Sequence, residues 1–186
     1  MKRLVFKSTL LSALCLAFVA AGAVPAQEKK EMTVEWIYSK EAGKVTAVPA
    51  YHWLRDGTAI IYDSRQPEQE RTFERLNAQT GKREPILDMR RALANLQPHL
   101  GKEEMPTVLP WPTAIDTSGR YAVYEFNNDI YLLNLTSAQF QRVTKTEGVE
   151  EKAVSLSPDG EAIGFVRNND LYVYDIKGNQ ERRLTM

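Results

Sequence analysis

The sequence predicts an all-β protein made of tandem four-stranded antiparallel units, and three observations predict it. A stretch recurs 41 residues downstream without a gap: 115–144 read IDTSGRYAVYEFNNDIYLLNLTSAQFQRVT and 156–185 read LSPDGEAIGFVRNNDLYVYDIKGNQERRLT. Gly119 falls on Gly160, Tyr124 on Phe165, Asn127-Asn128-Asp129 on Asn168-Asn169-Asp170, Tyr131 on Tyr172, Arg142 on Arg183 and Thr144 on Thr185. Within each copy, short β-branched and aromatic runs alternate with tight-turn residues. A period of about 40–45 residues with several short strands per unit is that of a propeller blade, so the expected fold is a partial β-propeller of about three blades.

Each element of the last copy has a local reason. Val154–Leu156 reads as a first strand, closed by Ser157-Pro158-Asp159-Gly160. There Pro158 presets φ for a type I turn and Gly160 can take the positive φ that ends it. Ala162–Arg167 is the second strand; Asn168-Asn169 suits a two-residue hairpin, because Asn tolerates positive φ. Leu171–Ile176 and Glu181–Leu184 are the third and fourth strands, joined through Lys177-Gly178-Asn179. An earlier stretch, Tyr51–Asp63, carries the same turn at Asp56-Gly57, followed by a polar loop Ser64–Glu70, a strand Thr72–Asn77 and a turn at Thr80-Gly81-Lys82. Blades are therefore expected near 51–86, 114–144 and 153–185, together forming an incomplete propeller over 51–186. About 20 residues are inserted between Gly57 and Gly119, which lie 62 apart and not 41. Within the insert, 87–112, Asp88 can cap a helix with Met89, Ala92, Leu93 and Leu96 at helical spacing before Pro98, and MPTVLPWP (Met105–Pro112) reads as an extended return against a blade edge. Residues 27–50 read as a linker with a short helix, VEWIYS, capped by Thr33 and carrying Trp36 and Ile37 as docking residues.

Residues 1–26 read as a cleavable secretory signal peptide. Lys2, Arg3 and Lys7 form a basic start, Leu10–Ala21 an apolar run too short to span a bilayer comfortably, and Val24-Pro25-Ala26 a small-residue site with cleavage between Ala26 and Gln27. An uncleaved membrane anchor is the alternative. Cys15 lies in that run after Leu14, where a lipidation signal needs a small residue, so the mature chain is expected to carry no cysteine, no disulfide and no thiolate metal site. The full chain balances 24 basic against 24 acidic residues. Removing Lys2, Arg3 and Lys7 leaves a mature net charge of −3, with no basic stripe and no sign of a nucleic-acid partner. The expected location is periplasmic or secreted, with no membrane contact after cleavage.

The residues that could carry chemistry read as structural. His52 beside Trp53 lies in a strand and reads as a packed histidine, and His99, after a helix end, as solvent-facing. Two isolated histidines make a poor metal site. Ser118, Ser155 and Ser157 lie in strands or turns, and the chain contains no G-x-S-x-G elbow. Glu150-Glu151 is a paired carboxylate of the kind that binds amines or works as acid and base, but its place before a blade's first strand reads as an exposed loop. Asn134-Leu135-Thr136 matches a glycosylation pattern at a strand end and is set aside because the leader looks bacterial. Asp56, Asp116, Asp159 and Asp175 fall in turns or strand ends, which leaves a glycosidase-type site without support. No catalytic, cofactor or metal residue is assigned.

The run SLSPDGEAIGFVRNNDLYVYDIKGNQERRLT, with a leader, MTVEWIYS and YHWLRDGTAIIY before it, resembles the N-terminal propeller region of dipeptidyl peptidase IV, in the prolyl oligopeptidase family of serine peptidases. The resemblance extends over most of Met32–Thr185. It implies a propeller that gates peptide access to a C-terminal α/β-hydrolase domain absent from these 186 residues, with no cofactor, a peptide substrate and a possible homodimer in the full-length protein. It also implies that the family's amine-binding Glu-Glu pair follows the RRLT-like strand, beyond Met186, so Glu150-Glu151 is not that pair. Some members carry an arginine in the hairpin before the third strand; Asn127-Asn128 offers none. The 186 residues alone are therefore expected to be inert. The alternative is a non-enzymatic periplasmic propeller binding a protein partner.

Overall fold

In the computed structural model, which describes residues 32–101 and 104–185, three four-stranded antiparallel meanders follow one another along the chain. Blade 1 is β1 (Ala50–Trp53), β2 (Thr58–Tyr62), β3 (Glu74–Asn77) and β4 (Arg83–Pro85); blade 2 is β5 (Ala114–Ile115), β6 (Tyr121–Phe126), β7 (Asp129–Asn134) and β8 (Gln139–Arg142); blade 3 is β9 (Lys152–Leu156), β10 (Ala162–Arg167), β11 (Asp170–Asp175) and β12 (Gln180–Arg183). Sheet order follows chain order in each. This is the expected partial propeller, and the described sheets do not close into a ring.

The chain divides into two compact units, Met1–Val45 and Thr46–Met186. In the first, α1 (Val34–Ile37) starts where the Thr33 hydroxyl accepts from the Trp36 amide at 3.2 Å. A second helix, α2 (Lys40–Thr46), lies where the sequence reading had only linker; the Ser39 hydroxyl accepts from the Ala42 amide at 3.1 Å and so opens it. Trp36 is half-buried and Ile37 is exposed. The leader and its Ala26–Gln27 cleavage point lie outside the described residues. Among the described residues no helix is long and apolar enough to cross a membrane.

Turn chemistry sets the blade geometry. Asn127 and Asn128 (φ 51° and 65°) join β6 to β7, and Asn168 and Asn169 (52° and 67°) join β10 to β11, so Phe126 pairs with Asp129 and Arg167 with Asp170 across the two hairpins. Blade 1 has no such hairpin; a 3-10 turn, Glu68–Glu70, lies in the longer connection. β9 begins two residues before its sequence-predicted start, passing through Ala153 at φ 53° beside a register shift that marks a β-bulge.

The turns between first and second strands stack from blade to blade. The Arg55 amide donates to the Thr117 carbonyl at 2.8 Å, and the Thr117 amide to the Pro158 carbonyl at 3.3 Å. Gly119 (φ 71°) lies under this stack: a Cβ there would come within 2.9 Å of Leu54 Cδ1. Gly119→Ala is therefore expected to cost about 2–4 kcal/mol, combining left-handed backbone strain with overpacking. Gly81→Ala, at the same φ but with open space around it, bears only the backbone part, about 1–2 kcal/mol. Urea titrations of the two variants separate the terms.

Blade 2 is buried on both faces. Ala122, Tyr124, Tyr131 and Leu133 join Leu54, Ile60, Tyr62 and Phe73 in one core, and Val123, Ile130 and Leu132 join Val154, Ile163, Phe165 and Tyr174 in another. This is why β7 reads as a continuous apolar run and not as an alternating one. Helix α3 (Met89–Leu96), capped by the Asp88 carboxylate accepting from the Arg91 amide at 3.0 Å, buries Ala92 and Leu96 in the first core. Asn95 Nδ2 ties it to the Ala138 carbonyl beside β8 at 2.7 Å.

The Tyr124 hydroxyl is buried in that core without a hydrogen-bond partner. Tyr124→Phe removes a desolvated hydroxyl, so the expected change lies between zero and a gain of about 1 kcal/mol. Burial pushes the phenol well above its ordinary value. The folded protein thus keeps the proton that the unfolded chain releases near pH 10. The contribution is complete below that pH and falls as pH rises above it, by about 1.4 kcal/mol per unit. Tyr124→Phe should flatten the alkaline limb of a stability-versus-pH curve, with the residual slope left to Tyr62, Tyr131 and Tyr174, which burial shifts the same way.

Candidate functional site

A polar clasp joins blades 2 and 3. Asp129, 2% exposed, begins β7 and pairs with Arg142 of β8. Its Oδ1 also accepts from the Thr146 amide at 2.9 Å. The Thr144 hydroxyl accepts from the Ile130 amide at 2.8 Å and donates to Glu151 Oε2 at 3.3 Å. Thr146 Oγ1 donates to Glu151 Oε1 at 2.7 Å, and Arg167 Nε to the same oxygen at 3.0 Å. The outer nitrogens of Arg167 fork onto Glu181 at 2.7 and 2.9 Å. A buried charge survives only when paired and hydrogen-bonded, and both buried carboxylates here meet that condition.

This corrects the sequence reading of Glu150-Glu151. Glu150 is exposed as expected and pairs with Lys152 at 3.0 Å. Glu151 is not in an exposed loop: its side chain is 1% exposed and lies between two threonines and an arginine. The one sequence signal was position 167. Its counterpart 41 residues earlier is Phe126, stacked on Tyr124 with centroids 5.6 Å apart and edge-on to Tyr131. Arg167 occupies the matching place, over Phe165 at 5.1 Å and Tyr172 at 4.8 Å. One residue type thus exchanges an aromatic cluster for a cation over two rings, with its charge free to meet Glu151. Burial of Arg167 opposes its charge, but Glu181 and Glu151 outweigh that and hold its pKa above the ordinary arginine value.

The other residues singled out by sequence do not converge. Ser118 donates to Asp116, Ser155 to the Gly164 carbonyl at 3.4 Å and Ser157 to Asp159 at 2.6 Å; none of these bonds involves a histidine. Asp116 is 1% exposed and closes its turn by accepting from the amides of Ser118, Arg120 and Tyr121. Asp56 caps the matching turn of blade 1 through Thr58, and Asp175 accepts from the Gly178 amide at 2.9 Å. Asn134 Oδ1 accepts from the Thr136 and Ser137 amides at 3.0 Å, a turn cap. His52 lies within β1, its Nε2 buried without a partner. His99 is half-buried and not solvent-facing; its ring meets Tyr131 edge-on at 6.2 Å. Among the described residues no three His, Cys, Asp or Glu side chains converge as a metal requires.

A second feature is an open apolar groove of about 360 Å³ on the flank of blade 1 away from blade 2, lined by Val48, Pro49, Tyr51, Trp53, Ile61 and Leu76. Tyr51 and Trp53 are 57% and 55% exposed and meet edge to face at 6.4 Å.

Residues 149–186, which run from the lead-in of blade 3 to its end, match the family described as the dipeptidyl peptidase IV (DPP IV) N-terminal region. The chain's fold is similar to Porphyromonas gingivalis dipeptidyl peptidase 4, over 85% of this chain and 22% of that one, with a TM-score of 0.54 and 16% identity. The chain thus spans about a fifth of that protein's length. A protein described as TolB from Agrobacterium tumefaciens overlaps 73% of this chain and 45% of its own at a TM-score of 0.44 and 18% identity. The tricorn protease overlaps 72% and 12% at 0.40 and 13%. No curated protein matches the sequence.

Proposed function

We propose that this chain is the N-terminal propeller part of an exported serine exopeptidase of dipeptidyl-peptidase type, and that its blades limit peptide access to a C-terminal α/β-hydrolase domain. The match of 149–186 to the DPP IV N-terminal region carries this reading. The fold likeness over 85% of the chain and the signal-like leader support it. Ser118, Ser155 and Ser157 donate to Asp116, the Gly164 carbonyl and Asp159, in keeping with a nucleophile supplied by the hydrolase part.

The test uses the native cell and the isolated chain together. An antibody to residues 51–185 should precipitate a protein that reacts with a fluorophosphonate, the general probe for activated serines, and that releases dipeptides from Xaa-Pro chromogenic substrates. The 21.1 kDa chain by itself should give no turnover above buffer. A precipitated protein that neither labels nor cleaves would overturn the proposal in favour of a binding propeller. Hydrolysis by the isolated chain would overturn the assignment of the nucleophile to another domain.

A further inference from the structure

The clasp holds the start of β7; the far end of that strand opens on a pocket of about 190 Å³. Its polar lining is Tyr121, Asn134, Ser137, Gln139 and Gln141, with Phe140 in its apolar wall, and no charged side chain lines it. Two carboxamides in this lining are each held by one half. Asn134 Oδ1 accepts from the Thr136 and Ser137 amides at 3.0 Å, which leaves Nδ2 to donate. Gln141 Nε2 donates to the Tyr174 hydroxyl at 2.6 Å and to Asn179 Oδ1 at 2.7 Å, and the Tyr174 hydroxyl donates in turn to Asn179. The Gln141 carboxamide cannot turn over without setting its oxygen against that of Asn179, so Oε1 is left to accept. Arg120 lies over the Tyr121 ring at 4.8 Å and steadies that wall. The 41-residue repeat shows that a blade does not require this lining. At the matching positions blade 3 has Ala162 for Tyr121, Asp175 for Asn134, Gly178 for Ser137 and Arg182 for Gln141, whereas Tyr131, Arg142 and Thr144 recur as Tyr172, Arg183 and Thr185.

We infer that this pocket, formed along β7 and β8 and braced by blade 3, binds one uncharged sugar residue. A fixed carboxamide donor and a fixed carboxamide acceptor in one lining suit sugar hydroxyls, each of which both gives and takes a hydrogen bond. The Ser137 hydroxyl and the exposed Gln139 carboxamide add further neutral partners, and the aromatic wall suits the C–H face of a pyranose. The volume holds about six waters at about 30 Å³ each. A pyranose with its hydroxyls replaces several of these together and remakes their hydrogen bonds. A charged ligand finds no counter-ion in the lining and loses its hydration without compensation. The inference goes beyond the proposed function and holds for a peptidase or a binding propeller alike.

The experiment titrates the full chain with glucose, galactose, mannose and N-acetylglucosamine, with glucuronate as the charged control, and follows backbone and side-chain amide NMR shifts. At least one neutral sugar should move the amides of Ser137, Gln139 and Gln141 and the Gln141 side-chain signal. The Kd should be on the order of 1 mM, the level that per-atom efficiency sets for a ligand of about a dozen heavy atoms. Asn134→Asp keeps the oxygen that closes the turn, as Asp175 does by accepting from the Gly178 amide in blade 3, but removes the donor. Its Kd should rise about tenfold or more with the melt unchanged. Gln139→Ala should raise the Kd about threefold, and Gln180→Ala, its blade 3 counterpart, should leave it as it is. Binding of the methyl glycoside as well as the free sugar makes the ligand a glycan residue; binding of the free sugar alone makes it a monosaccharide. The proposal is overturned by pocket signals that stay still with every one of these sugars, by glucuronate binding as tightly as the neutral sugars, or by a Kd that Asn134→Asp leaves untouched. Shifts gathered at Tyr51 and Trp53 place the sugar on the blade 1 groove and overturn it too. None of these measurements reads peptidase chemistry, so their outcome is separate from that of the proposed function.

Discussion

Glu151→Ala should destabilise the protein by about 3–5 kcal/mol, the range for breaking a buried charged pair by removing one partner. At roughly 2–4 °C per kcal/mol this is a fall in Tm of about 6–20 °C. The size follows from what is left behind. Arg167, with a side chain only 13% exposed, loses one of its two carboxylates. The hydroxyls of Thr144 and Thr146 lose the acceptor that both share. The contact between blades 2 and 3 would loosen first, so exchange should quicken at Ile130 and in β9 before it does in blade 1. Glu151→Gln keeps the shape and one acceptor oxygen and should fall between Ala and wild type. Glu150→Ala, next door but exposed, should stay within about 0.5 kcal/mol. Equal melts for the Glu150 and Glu151 variants would show that the clasp contributes nothing to stability.

Phe73→Ala should be comparable, at about 3–5 kcal/mol for a fully buried aromatic. Phe73 precedes β3, is 0% exposed, and lies between Tyr62 at 5.0 Å and Trp111 at 5.9 Å. Truncation leaves a cavity between blade 1 and Trp111 of the insert's return segment, which a fixed sheet on one side cannot collapse to fill. Trp111 then loses its stacking partner, so its fluorescence should shift to longer wavelength in the native state. Phe73→Leu keeps most of the volume and should recover more than half of the loss. A native-state spectrum unchanged in Phe73→Ala would mean that Trp111 packs elsewhere. Phe73 lies in the first core and Glu151 in the polar clasp between blades 2 and 3, with no shared partner, so their effects should add.

Most of the fold was legible in the chain because it depends on neighbours in sequence. Asn-Asn hairpins, Asp-Gly and Ser-Gly turns, and the Thr33 and Asp88 caps work within a few residues of each other, and each forms where its residues predicted. Helix α2 was missed because its opening cap is Ser39, which the sequence reading absorbed into VEWIYS, and because KEAGKVT has no apolar stripe to announce it. The bulge at Ala153 was missed because a non-glycine residue at positive φ is chosen by the sheet around it and not by its own preference.

The sequence by itself determined the period, the turns, the strand count of each blade and the kinship of blade 3, since all of these are local or repeat along the chain. Only the tertiary structure decided which of two adjacent glutamates is buried, that Arg167 takes the place an aromatic holds one blade earlier, and which faces remain open. Burial and pairing between residues 16 to 23 apart, such as Glu151 with Arg167 or Thr144 with Arg167 through it, depend on how one sheet lies on the next. That stacking is set by the summed packing of two faces, and no stretch of chain carries it alone.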